Sequence, residues 1–291
     1  MKYYIFVIIS FLFGDKLLFR IKHLYLHLKK GGKIYWLNFK NPVTFNEKIN
    51  WLKKYPSIPN GNLLADKVEV RKYIKEKVGD QYLIPSLGIF EDANEIDFGS
   101  LPDKFVIKTN HGSGFNIICN SKKDLNVLET RRKLNNWLKQ NYFYYGREWQ
   151  YKNIKPRLII EKHLLEDNNF ELLDYKFFCF DGEPKYIQID TGRFSTHKRQ
   201  FLTTKWNLLD FTVLYEKESQ KIKQPIDLGK MLEISKKLSE GLIFARIDLY
   251  SINSKIYFGE ITLHPGGGSE PFFPFTFDKE LGKKLILPLP K

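Results

Sequence analysis

Cysteine is nearly missing from this chain. Cys119 and Cys179 are its only two among 291 residues, and both sit in apolar, strand-like runs. No disulfide framework is available, and the pair reads as buried thiols of a reducing compartment. Also missing is any apolar run of the roughly 20 residues that a bilayer-spanning helix needs. The opening YYIFVIISFLF reaches about half of that length, and the FGDKLL that follows offers no small-residue cleavage site. It reads as a buried or membrane-touching segment rather than an export signal. The expected location is cytoplasmic, with peripheral contact on the inner face of the cell membrane as an option. There is no GxxxxGK[ST] loop and no GxGxxG opening a helix, which excludes the common phosphate loops. No Asp-x-Asp pair occurs either, the metal motif that a nucleotide-sugar glycosyltransferase usually carries. Internal repeats and low-complexity tracts are absent too.

What is present is aromatic and basic. Phe (24) and Tyr (16) are abundant and 43% of residues are hydrophobic, enough for one large domain or two modest ones. The net charge of +14 is uneven. Residues 1–40 hold Lys2, Lys16, Arg20, Lys22, Lys29, Lys30, Lys33 and Lys40 against a single acid, Asp15. Leu17, Leu18, Ile21, Leu24, Tyr25 and Leu28 fall at helical spacing there, with Lys16, Arg20, Lys22, His23, His27 and Lys29 on the other face. Such a basic amphipathic helix either lies on acidic lipid through residues 1–33 or docks on its own domain with the basic face in water. A non-catalytic membrane or nucleic-acid binder driven by charge would show steep salt dependence; no nucleic-acid partner is expected.

Local signals outline a mixed architecture. Thr44 followed by Glu47 in NPVTFNEKINWL is a capping box opening a helix. ADKVEVRKYIKEKVG reads as a helix closed by Gly79, and further helices are expected near Leu125–Asn141 and Leu228–Ser239. Strands are expected near Ile84, at Phe105–Lys108, Asn116–Cys119, Arg157–Leu164 and Gln200–Thr204, with a hairpin turning at Asp181–Gly182. Helices mixed with mainly antiparallel hairpins argue for an α+β fold.

Three stretches carry chemistry. In FVIKTNHGSGFNIIC, a glycine-containing loop joins two strands, and Gly112 and Gly114 would let backbone amides approach phosphate oxygens. Lys108 points away from Phe105 and Ile107, a costly place for a lysine without an anion; the plain alternative is a hairpin with an exposed lysine. In FARIDLYSINSKIYFGEITLHPGGG, a turn at Asn253–Ser254 puts Asp248 nearly opposite Glu260. Two close carboxylates repel unless a cation lies between them or one is protonated. Mg²⁺ shared with nucleotide phosphates is one common solution, and Arg246 on the same face as Asp248 would stabilise a transferring phosphoryl group. The alternative is a surface hairpin with solvated acids. PRLIIEKHLLED ends a strand in Glu161 and Leu164, groups that suit a purine edge.

These segments together resemble the ATP-grasp superfamily, most closely its TupA-like branch. The resemblance rests on TFNEKINWLKKY, ADKVEVRKYI, YLIPSLG, FVIKTNHGSG, IIEKHL, DYKFFCFDGEP and ARIDLY…YFGEITLHPGGG, and spans residues 15–291. It implies two α+β lobes gripping ATP: a helical basic region over 1–60, a small lobe with the glycine loop over 61–155, and a C-terminal lobe with the metal site over 156–291. It implies ATP contacts from Lys67, Lys108, Gly112, Ser113 and Gly114, an adenine site at Glu161 and Leu164, and Asp174 or Glu166 at the ribose. Asp248, Glu260 and Thr262 become the Mg²⁺ ligands and Arg246 the catalytic arginine. Many relatives carry Asn where this chain has Thr262. His111 and His264 adjoin the implied site and are candidates for proton transfer. The implied reaction is ATP- and Mg²⁺-dependent amide formation from a carboxylate and an amine through an acyl phosphate, in cell-surface polysaccharide biosynthesis. An anionic or lipid-linked saccharide acid would meet Arg193, His197, Lys198 and Arg199 of DTGRFSTHKRQF, unless that cluster is a solvated loop. A glycosyltransferase or a sugar-acid kinase is the alternative.

Overall fold

In the computed structural model, residues 7–8, 12–164, 172–192 and 196–288 are described. The chain forms two compact units. The larger joins Met1–Pro59 to Glu171–Lys291, and the smaller is Asn60–Phe170. This redraws the expected boundaries. The N-terminal region is part of the larger unit, and the strand expected to open a C-terminal lobe at residue 156 pairs within the smaller one.

The larger unit is built on a six-stranded sheet. Its strands are β5 (Asp174–Phe180), β6 (Glu183–Thr191), β7 (Lys198–Thr203), β9 (Glu216–Lys217), β10 (Phe244–Ile252) and β11 (Lys255–Thr262), in the order β11-β10-β5-β6-β7-β9, while β8 (Thr212–Val213) pairs with β12 (Phe272–Phe273) in a separate two-stranded sheet. All neighbours are antiparallel except β7 and β9. The β5–β6 hairpin turns at Asp181 and Gly182, both at positive φ, and the β10–β11 hairpin at Asn253 and Ser254, also both positive.

Alternation along the strands decides the two faces. Helix α7 (Leu228–Ser239) packs on β5, β6 and β10 and buries Leu228, Met231, Ile234 and Leu238. The opposite face holds Phe178, Phe180, Phe201 and Phe244, which cluster with Phe45, Ile49 and Leu52 of α2 (Phe45–Lys54) and Leu281 of α8 (Thr276–Lys284). Two residues on from these aromatics the same face turns polar, because Lys176 precedes Phe178 on β5 while Arg246 and Asp248 follow Phe244 on β10 at strand spacing. The capping box opens α2 as expected: Glu47 N–H donates to Thr44 Oγ1 at 3.1 Å and Thr44 N–H to Glu47 Oε2 at 2.9 Å.

The smaller unit carries a four-stranded antiparallel sheet in the order β1-β4-β2-β3: β1 (Ser86–Phe90), β2 (Phe105–Thr109), β3 (Asn116–Cys119) and β4 (Leu158–Lys162). Phe105, Ile107, Leu158 and Ile160 meet Leu134 of α5 (Val127–Leu138) in its core. Helices α3 (Gly61–Ala65), α4 (Val70–Lys77) and α6 (Phe143–Gly146) complete it. The two cysteines are free and buried, as expected.

The first helix departs from expectation. α1 (Asp15–Lys30), closed by left-handed Gly31, buries Phe19, His23 and His27 and leaves Leu17, Ile21, Tyr25 and Leu28 exposed. The histidines were expected on the solvated face; they are the docking face. Their rings lie 3.9 Å apart, and each meets Tyr35 edge-on. His27 Nδ1 lies 2.7 Å from Lys33 O, and Tyr35 donates to Asp278 Oδ2 at 2.8 Å. No helix among the described residues is long and apolar enough to cross a membrane.

Docking through neutral imidazoles makes this packing pH-sensitive. Burial, aided by His27, pushes His23 down to about 3, and burial also lowers His27. Unfolded histidine gains its proton near about pH 6.5. The stabilisation is therefore complete above that value and is lost as pH falls towards about 3. Hydrogen exchange should show α1 amides losing protection first between neutral and acidic pH, with His23→Phe flattening that dependence.

Candidate functional site

The hairpin that opens the question of function folds as its spacing requires. Asp248 pairs in register with Glu260, and Arg246 with Thr262. The cation between the acids is Arg246: its Nε and Nη2 each donate to Asp248 at 2.7 Å, and Nη2 also lies 3.3 Å from Glu260 Oε1 and 3.0 Å from Thr262 Oγ1. Thr262 Oγ1 in turn donates to Glu260 Oε1 at 3.2 Å.

Neighbouring strands extend this pair into a network. On β5, Lys176 Nζ lies 3.3 Å from Asp248 Oδ2 and 3.8 Å from Asp190 Oδ2, and it also pairs with Asp174. On β6 and β7, Arg199 Nε donates to Asp190 Oδ1 at 2.6 Å while its Nη1 reaches Glu270 Oε2 at 3.1 Å. Five carboxylates (Asp174, Asp190, Asp248, Glu260, Glu270) thus meet Lys176, Arg199 and Arg246 on one sheet face. The electrostatic result is uneven. Burial would raise Asp190, but Arg199 and Lys176 outweigh it and hold the carboxyl below the usual range. Burial pushes Asp248 up to about 6 against the pull of Arg246 and Lys176, with Asp174 and Glu260 adding to the rise.

Those features fit a divalent cation. Among the described residues no group of three or more His, Cys, Asp or Glu side chains could enclose a metal ion on its own. Mg²⁺ does not need one: one or two carboxylates complete its shell with phosphate oxygens and water. Asp248 and Glu260, facing each other in register, could supply those donors. Thr262 is engaged with both Arg246 and Glu260, so its hydroxyl orients the acid.

In the smaller unit the glycine loop follows β2. Its root is tied by Asn110, which donates to Asp66 Oδ2 at 2.9 Å and to Lys155 O at 3.0 Å and accepts from Arg157 N–H at 2.7 Å. Arg157 also pairs with Asp66 and Glu69. The tip is open: Ser113 and Gly114 are exposed, and Gly114 sits at φ +77° with nothing near where a Cβ would be. Gly112 is buried, and a Cβ there would lie 2.8 Å from the Tyr142 ring. Lys67 precedes α4, and its ammonium donates to the Gly112 carbonyl. Lys108 donates to Glu161 Oε2 at 2.7 Å, and Arg71 lies 3.4 Å from Glu161 Oε1. The structure therefore joins Lys67 to the loop and Lys108 to Glu161. Leu164 follows β4, half-buried.

Several expectations change. His111 is buried, with Nε2 3.0 Å from Gln140 O and 3.2 Å from Trp137 O, and burial lowers its pKa. His264 is buried as well, its pKa lowered well below the ordinary value by burial and then by Lys53. Burial disfavours the protonated form of both rings. The basic cluster is not one loop. Arg199 is buried in the charge network, Lys198 lies 4.0 Å from Glu218, His197 stacks on Tyr215 at 3.7 Å, and Arg193 lies outside the described residues, as does Glu166. Asp174 is bound by Lys176 rather than open as a ribose partner. The glycine triplet after β11 is a close-packing device: Gly266, Gly267 and Gly268 all have positive φ, and Lys53 Nζ donates to Gly267 O at 2.9 Å. Reading the sequence missed Lys176, Asp190, Glu270, Arg71 and the Asp66–Asn110–Arg157 anchor. The signal for the first two was there, since Asp174/Lys176 and Gln188/Asp190 recur at strand period inside otherwise apolar runs.

A family model described as TupA-like ATPgrasp matches residues 47–286. The chain belongs to the TupA-like ATPgrasp family. The α+β fold of this ATP-grasp chain also resembles that of solved ligases at low identity. D-alanine–D-alanine ligase from Bacillus anthracis, complexed with ATP, is 17% identical over 70% of this chain and 55% of its own, with a TM-score of 0.41. The enzyme of the same name from Helicobacter pylori is 18% identical over 84% and 69%, at 0.43. Phosphoribosylamine–glycine ligase from Thermotoga maritima is 14% identical over 72% and 50%, at 0.44. No curated protein matches the chain.

Lys176 supplies a test of the network that needs no substrate. Replacing it with Met removes the cation shared by Asp174, Asp190 and Asp248, and breaking a buried ionic set on one side costs about 3–5 kcal/mol. Urea unfolding of Lys176→Met should show a loss of that order, and adding Asp174→Asn should recover part of it.

Proposed function

We propose that this ATP-grasp chain is an ATP- and Mg²⁺-dependent carboxylate–amine ligase acting on a precursor of a cell-surface polysaccharide. The carrying observation is the register of Asp248 against Glu260 with one guanidinium spanning both, in a chain of this family. Asp248 and Glu260 would hold the cation, which supplies charge neutralisation at the nucleotide phosphates. Arg246 is fixed in the plane of Asp248 by two hydrogen bonds and by Thr262, so it meets developing phosphoryl charge without reorganising. Lys67 and Lys108 are the proposed phosphate contacts of the smaller unit. The Lys108–Glu161 bond fixes the position of that ammonium, and the exposed Ser113–Gly114 tip offers backbone amides.

The chemistry falls in two steps. A substrate carboxylate oxygen attacks the γ-phosphorus, the bond from that phosphorus to the β,γ-bridging oxygen breaks, and ADP leaves. An amine then attacks the acyl carbon, phosphate leaves with the carbon–oxygen bonding pair, and an amide remains after the nitrogen loses a proton. The network's part is positioning and charge complementarity. His197 and Lys198, near the edge of the same sheet, are the proposed contacts for an anionic sugar acid.

The distinguishing experiment measures ADP and phosphate separately with Mg-ATP, candidate sugar acids and candidate amines. A ligase releases phosphate only when acid and amine are both present. Release of ADP with acid alone, without amine-dependent phosphate, would establish a kinase. Asp248→Asn should reduce turnover by at least about 10²-fold, the order associated with losing an electrostatic group at a reacting centre.

A further inference from the structure

The proposed chemistry leaves the outward face of α1 unused. At 100° per residue, Leu17, Ile21, Tyr25 and Leu28 form one stripe opposite the docked Phe19, His23 and His27. Tyr25 is 61% and Leu28 69% exposed. Leu12 and Phe13 extend the exposed apolar surface before the helix. Trp36 extends it to one side, its ring 5.1 Å from the Arg20 guanidinium and more than half exposed. Single exposed apolar residues are ordinary, but a continuous stripe is not. The choice of face is the telling point. The helix turns two histidines inward and its aliphatic residues outward, which costs hydrophobic burial unless something else covers them.

Charge identifies the cover. Lys22 and Lys29 border the stripe on one side; Arg20, whose guanidinium donates to Leu37 O at 3.1 Å, borders it on the other, and Lys30 and Lys33 are exposed just beyond. An apolar stripe flanked by long basic side chains is the geometry that sinks into the headgroup boundary of an anionic bilayer, the lysines reaching up to phosphate. A second copy of the chain is a poorer occupant, because a two-fold contact would bring these same cations against each other. We infer that α1 is a peripheral anchor that lies in the plane of an anionic membrane through Leu17, Ile21, Tyr25 and Leu28. This rests on the helix alone and not on the ligase reading.

The test is sedimentation of the full-length chain with vesicles of phosphatidylcholine alone and of phosphatidylcholine mixed with phosphatidylglycerol. The chain should sediment with the mixed vesicles only. Ile21→Ser with Leu28→Ser should weaken that binding at least roughly tenfold, and so should Lys22→Glu with Lys29→Glu. These positions are exposed, so the thermal midpoint should stay at the wild-type value; the single change Leu28→Ser provides a milder variant with a smaller loss in the same direction. Three results would overturn the proposal: no binding to mixed vesicles, binding that ignores the serine substitutions, or a dimer in sedimentation velocity that those substitutions convert to monomer.

Discussion

The larger unit depends on keeping several charges on a sheet face that is otherwise apolar. Asp248 is the centre of that constraint. It is buried, two cations hold it in place, and two other acids stand close enough to raise its proton affinity. A carboxylate placed this way is costly unless its surroundings are complete. The strands provide the completion through register: Lys176 comes from β5, Glu260 from β11 and Arg246 from two residues earlier on β10. Shifting any of these strands by one residue would send its charged side chains to the α7 face. The aromatic cluster of Phe45, Phe178, Phe180 and Phe244 fixes that register from the neighbouring stretch of the same face. Packing and chemistry are thus adjacent parts of one surface, and the aromatic part makes the polar part reproducible.

The same logic of neutral or compensated burial runs through the rest of the chain. His111, His264 and His23 are all buried with lowered proton affinity, so imidazole serves here as a compact polar packing group. The glycine loop of the smaller unit is held at its root by Asp66, Asn110 and Arg157 and left open at Ser113 and Gly114. A rigid base with an exposed tip suits a loop that must receive a ligand without unfolding.

Much of this was legible in the sequence because it follows from short-range rules. Period-two alternation located the β10–β11 hairpin and its facing acids. The Thr44–Glu47 box located α2, and the Leu228–Ser239 helix has the bounds its periodicity suggests. What could not be read was decided by distant partners. The inward face of α1 differs from the one its periodicity indicates: hydrophobic spacing points at Leu17, Ile21 and Leu28, whereas the Tyr35 ring, held by Asp278, receives His23 and His27. The association of β4 with β1 and β2, and of the N-terminal helices with the last third of the chain, rests on long-range pairing that no local pattern encodes. Lys176 is the instructive case: its spacing from Asp174 was visible, but only the β10 register reveals that it serves Asp248.

The central claim is that Asp248 and Glu260, facing each other across β10 and β11, hold a divalent cation together with a nucleotide. Calorimetric titration with a non-hydrolysable ATP analogue, with and without Mg²⁺, tests it most directly. The account predicts uptake that requires Mg²⁺ and disappears in Glu260→Gln. Equal uptake of the analogue after Mg²⁺ is removed, or uptake unaffected by that substitution, would contradict it.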